Sequence, residues 1–330
     1  SAASDVYKRQ QADDSPLWMR YCAISPDGQT IAFSYQGDIY TVPSSGGKAR
    51  QLTTHPAHDT RPVWSPDGQR IAFASNRSGN VDVFLMNKEG GEPKRLTTHS
   101  TYEYPTTFKD NGHILYLANV LQDAKDIQFP GTRFMQVYEI STDGGRPDLY
   151  SSLYMENIAL SKDGSKLLYN DYKGYEDPWR KHHQSSITRD IWLCTLGKDR
   201  SFQKVTTFGG EDRNPVWAAD GASFYYLSEE KGSFNIFKKD LAGNSEKQIT
   251  THTTHPVRLL TSDNTGTLCY SYDGEIYTVK EGQKPAKVNI QIVADKIEND
   301  VIHRLLTDGA TDIACLLYTS PSPRDRTRSR

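Results

Sequence analysis

Short apolar segments alternate with turn residues along the whole chain, and no stretch keeps a helical period with caps. In Thr30-Ile31-Ala32-Phe33 and Asp38-Ile39-Tyr40-Thr41-Val42, β-branched and aromatic residues recur with period two, as in strands whose faces alternate. Ser25-Pro26-Asp27-Gly28 stands just before them. Pro26 presets φ, the Asp27 carboxylate can bond the backbone ahead, and Gly28 tolerates positive φ, so this stretch predicts a turn. The whole unit then repeats. Ile24 to His55 and Trp64 to His99 each carry the turn, a strand, a second strand, a Gly-Gly turn and a Leu-Thr-Thr-His ending. Weaker copies follow around Lys109–Gly112, Ser161–Gly164, Ala219–Gly221 and Ser262–Gly266. The turn aspartates Asp27, Asp67, Asp110, Asp163, Asp220 and Asp263 are spaced 40, 43, 53, 57 and 43 apart, and a four-stranded propeller blade takes ~40–45 residues. One such unit cannot bury both of its faces, so stacking in a ring completes the core. The expected fold is all-β, a six-bladed β-propeller of four-stranded antiparallel blades.

Up-and-down strands place successive turns at alternate ends of the ring. The Ser-Pro-Asp-Gly turns and the hairpins at Gly46-Gly47, Gly90-Gly91 and Gly144-Gly145 therefore share one face. The blade-to-blade connections share the other, together with two insertions between second and third strands, 119–135 in blade three and 172–189 in blade four. Long loops inside a compact repeat are often functional. Near the starts of the innermost strands stand Asp59, Glu103, Glu156 and Asp212, with Glu211 beside the last. Two readings stand side by side. The carboxylates ring the channel mouth and attract cations or the amino end of a peptide, or each caps a turn or pairs with Arg61 or Arg213. The blade-four insertion brings together Trp179, Arg180, Lys181, His182 and His183. This mix suits anchoring of a carboxylate, a peptide or a neighbouring domain, and equally a solvated loop with its Trp tucked under a blade.

The two ends differ from this pattern. Residues 1–10 (SAASDVYKRQ) resemble the translation of a transposon-end sequencing adapter, and CLLYTSPSPRD from Cys315 resembles the reverse complement of the same element. On this reading 1–10 and 315–330 are foreign, the latter also disordered. The propeller spans 11–292, and 293–314 is a linker into a second repeat array. The 330 residues carry 39 Lys and Arg against 41 Asp and Glu. Without the two ends the balance is 33 against 39, a net charge of −6, which argues against nucleic-acid or anionic-membrane partners. Cys22, Cys194 and Cys269 lie far apart in apolar strand patterns and read as buried free thiols.

Catalytic motifs are missing. There is no Gly-x-Ser-x-Gly elbow, no Walker loop, no dinucleotide fingerprint and no Cys-x-x-Cys, so neither cofactor nor metal is called for. His183, Ser186 and Asp190 are close in sequence, whereas triads draw on distant segments. His55-x-x-His58 and His252-x-x-His255 have metal-pair spacing. However, His55, His99 and His252 all follow Thr-Thr in their blades, which marks a structural repeat position.

The repeats at 25–54 and 65–98 resemble those of the Tol-system propeller, prolyl-oligopeptidase relatives and tricorn-like peptidases. The runs at 17–68, 174–192 and 294–314 are similar to the tricorn-like peptidases in particular. That resemblance implies the first, six-bladed propeller of a serine peptidase that trims peptides. A second propeller, a PDZ-like domain and a catalytic core would follow, and none of the catalytic residues would lie in this chain. It also implies a channel that gates or conducts peptides, a homo-oligomer, and a cytoplasmic location with export as the alternative. Two other functions compete: a stand-alone protein-binding scaffold of the Tol type, and a propeller enzyme such as a metal-dependent lyase.

Overall fold

The computed structural model describes residues 16–120, 135–174 and 185–293. Among these residues every regular element is a strand. Blade one comprises β1 (Arg20–Ile24), β2 (Thr30–Tyr35), β3 (Asp38–Pro43) and β5 (Arg50–Gln51), with the short β4 (Gly47–Lys48) between the last two. Blade two is β6 (Asp59–Trp64), β7 (Arg70–Ser75), β8 (Asp82–Asn87) and β9 (Gly90–Arg95). Blade three is β10 (Glu103–Asp110), β11 (His113–Ala118), β12 (Gln136–Ser141) and β13 (Asp148–Ser151). Blade four is β14 (Met155–Leu160), β15 (Lys166–Asp171), β16 (Ile191–Thr195) and β17 (Ser201–Lys204). Blade five is β18 (Asp212–Trp217), β19 (Ser223–Ser228), β20 (Asn235–Asp240) and β21 (Glu246–Gln248). Blade six is β22 (Arg258–Ser262), β23 (Leu268–Tyr272), β24 (Glu275–Val279) and β25 (Ala286–Lys287), followed by β26 (Ile290–Gln291). In each blade four antiparallel strands pair in sequence order, so the six-bladed expectation holds.

Each inner strand packs on the inner strands of both neighbours, and β1 meets β6 on one side and β22 on the other. Among the described residues no four-stranded blade takes a strand from the far end of the chain. Closure is made instead by side chains and a short bridge. Met19, Cys22 and Ile24 share a core with Cys269, Ile276, Val288 and Ile290. The Ile24 N–H donates to Thr261 Oγ1 (3.2 Å) and the Asn264 N–H to the Pro26 carbonyl (2.9 Å). Parallel β26 pairs with β4. There Gly46 has φ +91°, and a Cβ would sit 2.7 Å from the Asn289 carbonyl oxygen, so only glycine fits. Cys22, Cys194 and Cys269 are buried free thiols, and Cys22 touches Cys269 across the closure.

The blade interfaces explain the repeat. Fully buried Phe33, Phe73 and Phe224 fill them, each contributing roughly 1.5–3 kcal/mol by leaving water. The first Thr of each ending accepts a backbone bond at the start of the third strand. Ile39, Val83, Ile191 and Ile236 donate to Thr53, Thr97, Thr206 and Thr250 at 2.9–3.0 Å. Trp64 and Trp217 donate their indole N–H to Ala23 and Ala159 of the preceding blade (2.9 and 2.8 Å). The turn aspartates serve the turns. Asp27, Asp67 and Asp163 accept from Ser25, Ser65 and Ser161, and Asp220 and Asp263 accept from the backbone ahead. Asp110 accepts from the Gly112 N–H (2.8 Å).

Candidate functional site

The inner strands are irregular in the same way. Registers slip early in β1, β6, β14, β18 and β22, and Tyr21, Arg61, Asn157, Asn214 and Leu259 there have φ of 52–57°. A bulge with a left-handed residue re-aims a side chain out of the ladder. In blade three Pro105 follows Glu103 by the spacing at which Arg61 follows Asp59. Its ring fixes φ near −65°, and the slip moves to between Pro105 and Thr107.

On the blade-one to blade-three side these bulges surround a cavity of about 580 Å³ at the connection face. It is lined by Trp18, Arg20, Tyr21, Tyr35, His58, Arg61 and Tyr104 among others. The Arg61 guanidinium lies 5.1 Å from the Tyr21 ring centre and 4.3 Å from that of Tyr104. Such stacking holds the cation while leaving its N–H edge available. Among the described residues no carboxylate forms an ion pair with Arg61. Burial raises the Tyr104 phenol above its usual range, an effect Arg61 opposes. Trp18 is 70% exposed and Leu17 55%, an apolar lip beside the cation.

The blade-four and blade-five side is closed. Arg189 Nε meets Glu156 Oε2 at 2.6 Å and its Nη1 meets Glu211 Oε1 at 3.1 Å. Arg213 Nη1 is 3.4 Å from the same Glu211 oxygen and stacks on Phe234 at 4.2 Å. Asn170 Nδ2 donates to Glu156 Oε2 (2.9 Å), while its Oδ1 accepts from Asn157 Nδ2 and the Asn214 N–H. Burial acts to lower the Arg189 pKa, but Glu156 and Glu211 outweigh it and hold the group above its ordinary value. Burial wins at Arg213 and brings it down to about 10, with Glu211 opposing.

The five acidic candidates therefore separate. Asp59, Glu103 and Asp212 are buried at 0, 1 and 1% exposure in nodes between blades, so they do not form a solvent-open ring. Asp59 Oδ2 pairs with Arg77 Nη2 at 2.7 Å. Glu103 lies within hydrogen-bonding reach of Asp82, which also pairs with Arg95. Burial raises Glu103 to about 7, Thr97 opposes this, and Asp82 adds to it. Burial likewise raises Asp212 to about 7 against bonds from Ser228 and Thr206. Glu156 is one position out of register with these three, because Met155 pairs with Asp171 where Asp59 pairs with Ser75 and Asp212 with Ser228. Strand alternation turns it elsewhere, to Arg189, which also binds Glu211.

The insertion candidates Trp179, Arg180, Lys181, His182 and His183 lie outside the described residues, as does most of 119–135. Asp190 pairs with Lys173 (2.5 Å) and Lys204 (3.2 Å). His55 and His99 accept from Ala57 and Thr101 N–H groups (3.0 and 3.1 Å), and His252 stacks on Tyr272 at 3.9 Å. Among the described residues no His, Cys, Asp and Glu gather as a metal site. Sequence reasoning weighed Arg61 only as an ion-pair partner and passed over Trp18, Tyr21 and Tyr104. The available signal was Arg61-Pro62-Val63-Trp64 recurring as Asn214-Pro215-Val216-Trp217, with a cation at a bulge in one copy and an amide in the other.

A family described as the tricorn protease N-terminal beta propeller domain matches residues 16–285. A tricorn protease homolog of Saccharolobus solfataricus is 22% identical over 82% of this chain and 24% of its own length. Tricorn protease homolog 1 of Streptomyces coelicolor is 22% identical over 86% of this chain and 26% of its own. The chain thus spans about a quarter of the length of these curated relatives. Among solved structures, that of the tricorn protease aligns with a TM-score of 0.67 at 21% identity, over 82% of this chain and 26% of that one. TolB from Acinetobacter baumannii aligns at 0.57 and 13%, over 85% and 65%. At these identities the structural likenesses speak to fold.

Proposed function

Because the chain belongs to the tricorn protease N-terminal β-propeller family, we propose that it is an accessory, non-catalytic propeller of a tricorn-like serine peptidase. In this reading it holds peptides at the Arg61 cavity as they pass to or from a catalytic core. The observation that carries the reading is a cation with no carboxylate partner among the described residues, stacked on Tyr21 and Tyr104 at the connection face. A guanidinium edge takes a carboxylate through two parallel hydrogen bonds, and exposed Trp18 and Leu17 offer contact to an apolar side chain. Conduction needs a site that binds weakly enough to release. The same reading makes 293–314 a linker and places the second propeller, PDZ-like and catalytic domains in the intact chain. It also gives that chain a homo-oligomeric state and a cytoplasmic location.

The test is a titration of fluorescent pentapeptides with free or amidated C-termini, followed by anisotropy. We expect the free acids to bind, and both amidation and Arg61→Gln to weaken binding about tenfold, as for a lost charge-assisted bond. Equal affinity for acid and amide, unchanged in Arg61→Gln, contradicts the proposal.

A further inference from the structure

Blades two and five are built to one plan, with one exchanged charge. Both inner strands begin with a buried acid, Asp59 or Asp212, opposite a serine, Ser75 or Ser228. Two residues past each serine the backbone N–H bonds back to its hydroxyl, from Arg77 at 3.3 Å and from Glu230 at 3.2 Å. Beneath lies an aromatic pair, Phe73 with Phe84 (5.9 Å) in blade two and Tyr226 with Phe237 (6.0 Å) in blade five. In blade two the Arg77 guanidinium covers that pair, 5.5 and 5.0 Å from the ring centres, and bonds Asp59. Blade five puts Glu230 where blade two puts Arg77.

The corresponding space in blade five is a pocket of about 290 Å³ lined by Asp212, Tyr226, Glu230 and Glu246, with Thr206 and Lys239 also on its wall. Lys239 lies 3.9 Å from Glu246, so three carboxyl groups face one lysine. Asp212 is 1% exposed and its Oδ1 has no hydrogen-bond partner, as also holds for Asp59 Oδ1 in blade two, where Arg77 takes Oδ2. A buried acid without its cation is costly, and blade two shows a guanidinium pairing with the Oδ2 of the equivalent acid while lying over the equivalent aromatic pair.

We propose that the pocket between blades four and five binds the guanidinium of an arginine side chain presented by another polypeptide, in the place that Arg77 fills from within the chain in blade two. The planar group lies over Tyr226 and bonds Asp212, while Glu230 and Glu246 flank it. An ammonium fits less well, since it lacks the flat face that stacks in blade two.

The test uses the full chain and three peptides, acetyl-Gly-Arg-Gly-amide and its lysine and citrulline counterparts, titrated by calorimetry. The arginine peptide is expected to bind saturably at one site, with citrulline and lysine at least tenfold weaker. Glu230→Arg supplies the cation internally, so it should abolish that binding while raising the melting temperature. Asp212→Asn should weaken binding at least tenfold. Absence of saturable binding, equal binding of citrulline or lysine, or full binding by a folded Glu230→Arg variant would each overturn the proposal. Because Glu230→Arg restores the blade-two pairing, it keeps the test decisive even where Asp212→Asn fails to fold.

Discussion

The connection face has two sides that use the same backbone device for opposite ends. Around blades one to three the bulges present Tyr21 and Arg61 to a cavity of about 580 Å³, where among the described residues the cation stacks on two aromatic rings and pairs with no carboxylate. Around blades four and five the bulges present Asn157 and Asn214, whose amides tie neighbouring strands together. There Arg189 is consumed by Glu156 and Glu211. The scaffold is repeated, so the difference rests in a few side chains. One side spends its polar groups on holding the ring, and the other leaves them available to a ligand.

Four sets of measurements probe the two sides. Arg189→Met leaves Glu156 and Glu211 without their shared cation, and losing one partner of a buried network costs roughly 3–5 kcal/mol. Chemical denaturation should show this large loss. Arg61→Met should cost less, about 1–2 kcal/mol, for cation–π contacts to two rings at a half-exposed site. Equal losses would mean that the open side is structural too.

The next effect is on pH. Asp212 rises from an ordinary 3.8, and Glu103 from 4.5, to about 7 in the folded protein. An acid whose folded pKa is raised binds its proton more tightly when folded. The stabilisation is therefore full below about pH 4 and is lost as pH rises through about 7, by up to ~1.4 kcal/mol per pH unit per group. Melting temperatures between pH 5 and 8 should fall with rising pH, and Asp212→Asn should flatten part of that slope. An unchanged slope would remove Asp212 from the account.

A smaller effect concerns ligand. Salt should weaken peptide binding at Arg61, because a half-exposed cation is screened over ~8–10 Å, while leaving the Arg189 network nearly untouched. Affinity measured at 50 and 300 mM salt checks this, and salt-independent affinity would point to apolar contact alone. The smallest effect should be the same on both sides. Trp64→Phe and Trp217→Phe each remove one indole hydrogen bond, about 1 kcal/mol apiece. Unequal costs would show that the scaffold is less symmetric than the matched 2.9 and 2.8 Å bonds indicate.

The fold was legible because its signal is local and repeated: Ser25-Pro26-Asp27-Gly28 and its copies state the turn, the strand period and the blade count. The site was less so. Asp59, Glu103 and Asp212 share a repeat position, but whether they face a channel or a seam depends on bulges that sequence spacing does not show. Glu156 looked like a fourth member, and a single-residue register offset sends it to Arg189 instead. Arg61 and Tyr104 belong to different blades and meet only once the ring closes, and so no spacing rule pairs them. Arg77 and Glu230 were the hidden contrast, visible only after Ser75 and Ser228 are aligned by their pairing.

The most direct test is to locate where a peptide sits. A short peptide with a free C-terminus and a photoactivatable benzophenone side chain can be cross-linked to the full chain and the adduct mapped by mass spectrometry. The account predicts adducts at Trp18, Tyr21 or Tyr104, suppressed in Arg61→Gln. Adducts confined to blades four and five, or to the face of the aspartate turns, would contradict it.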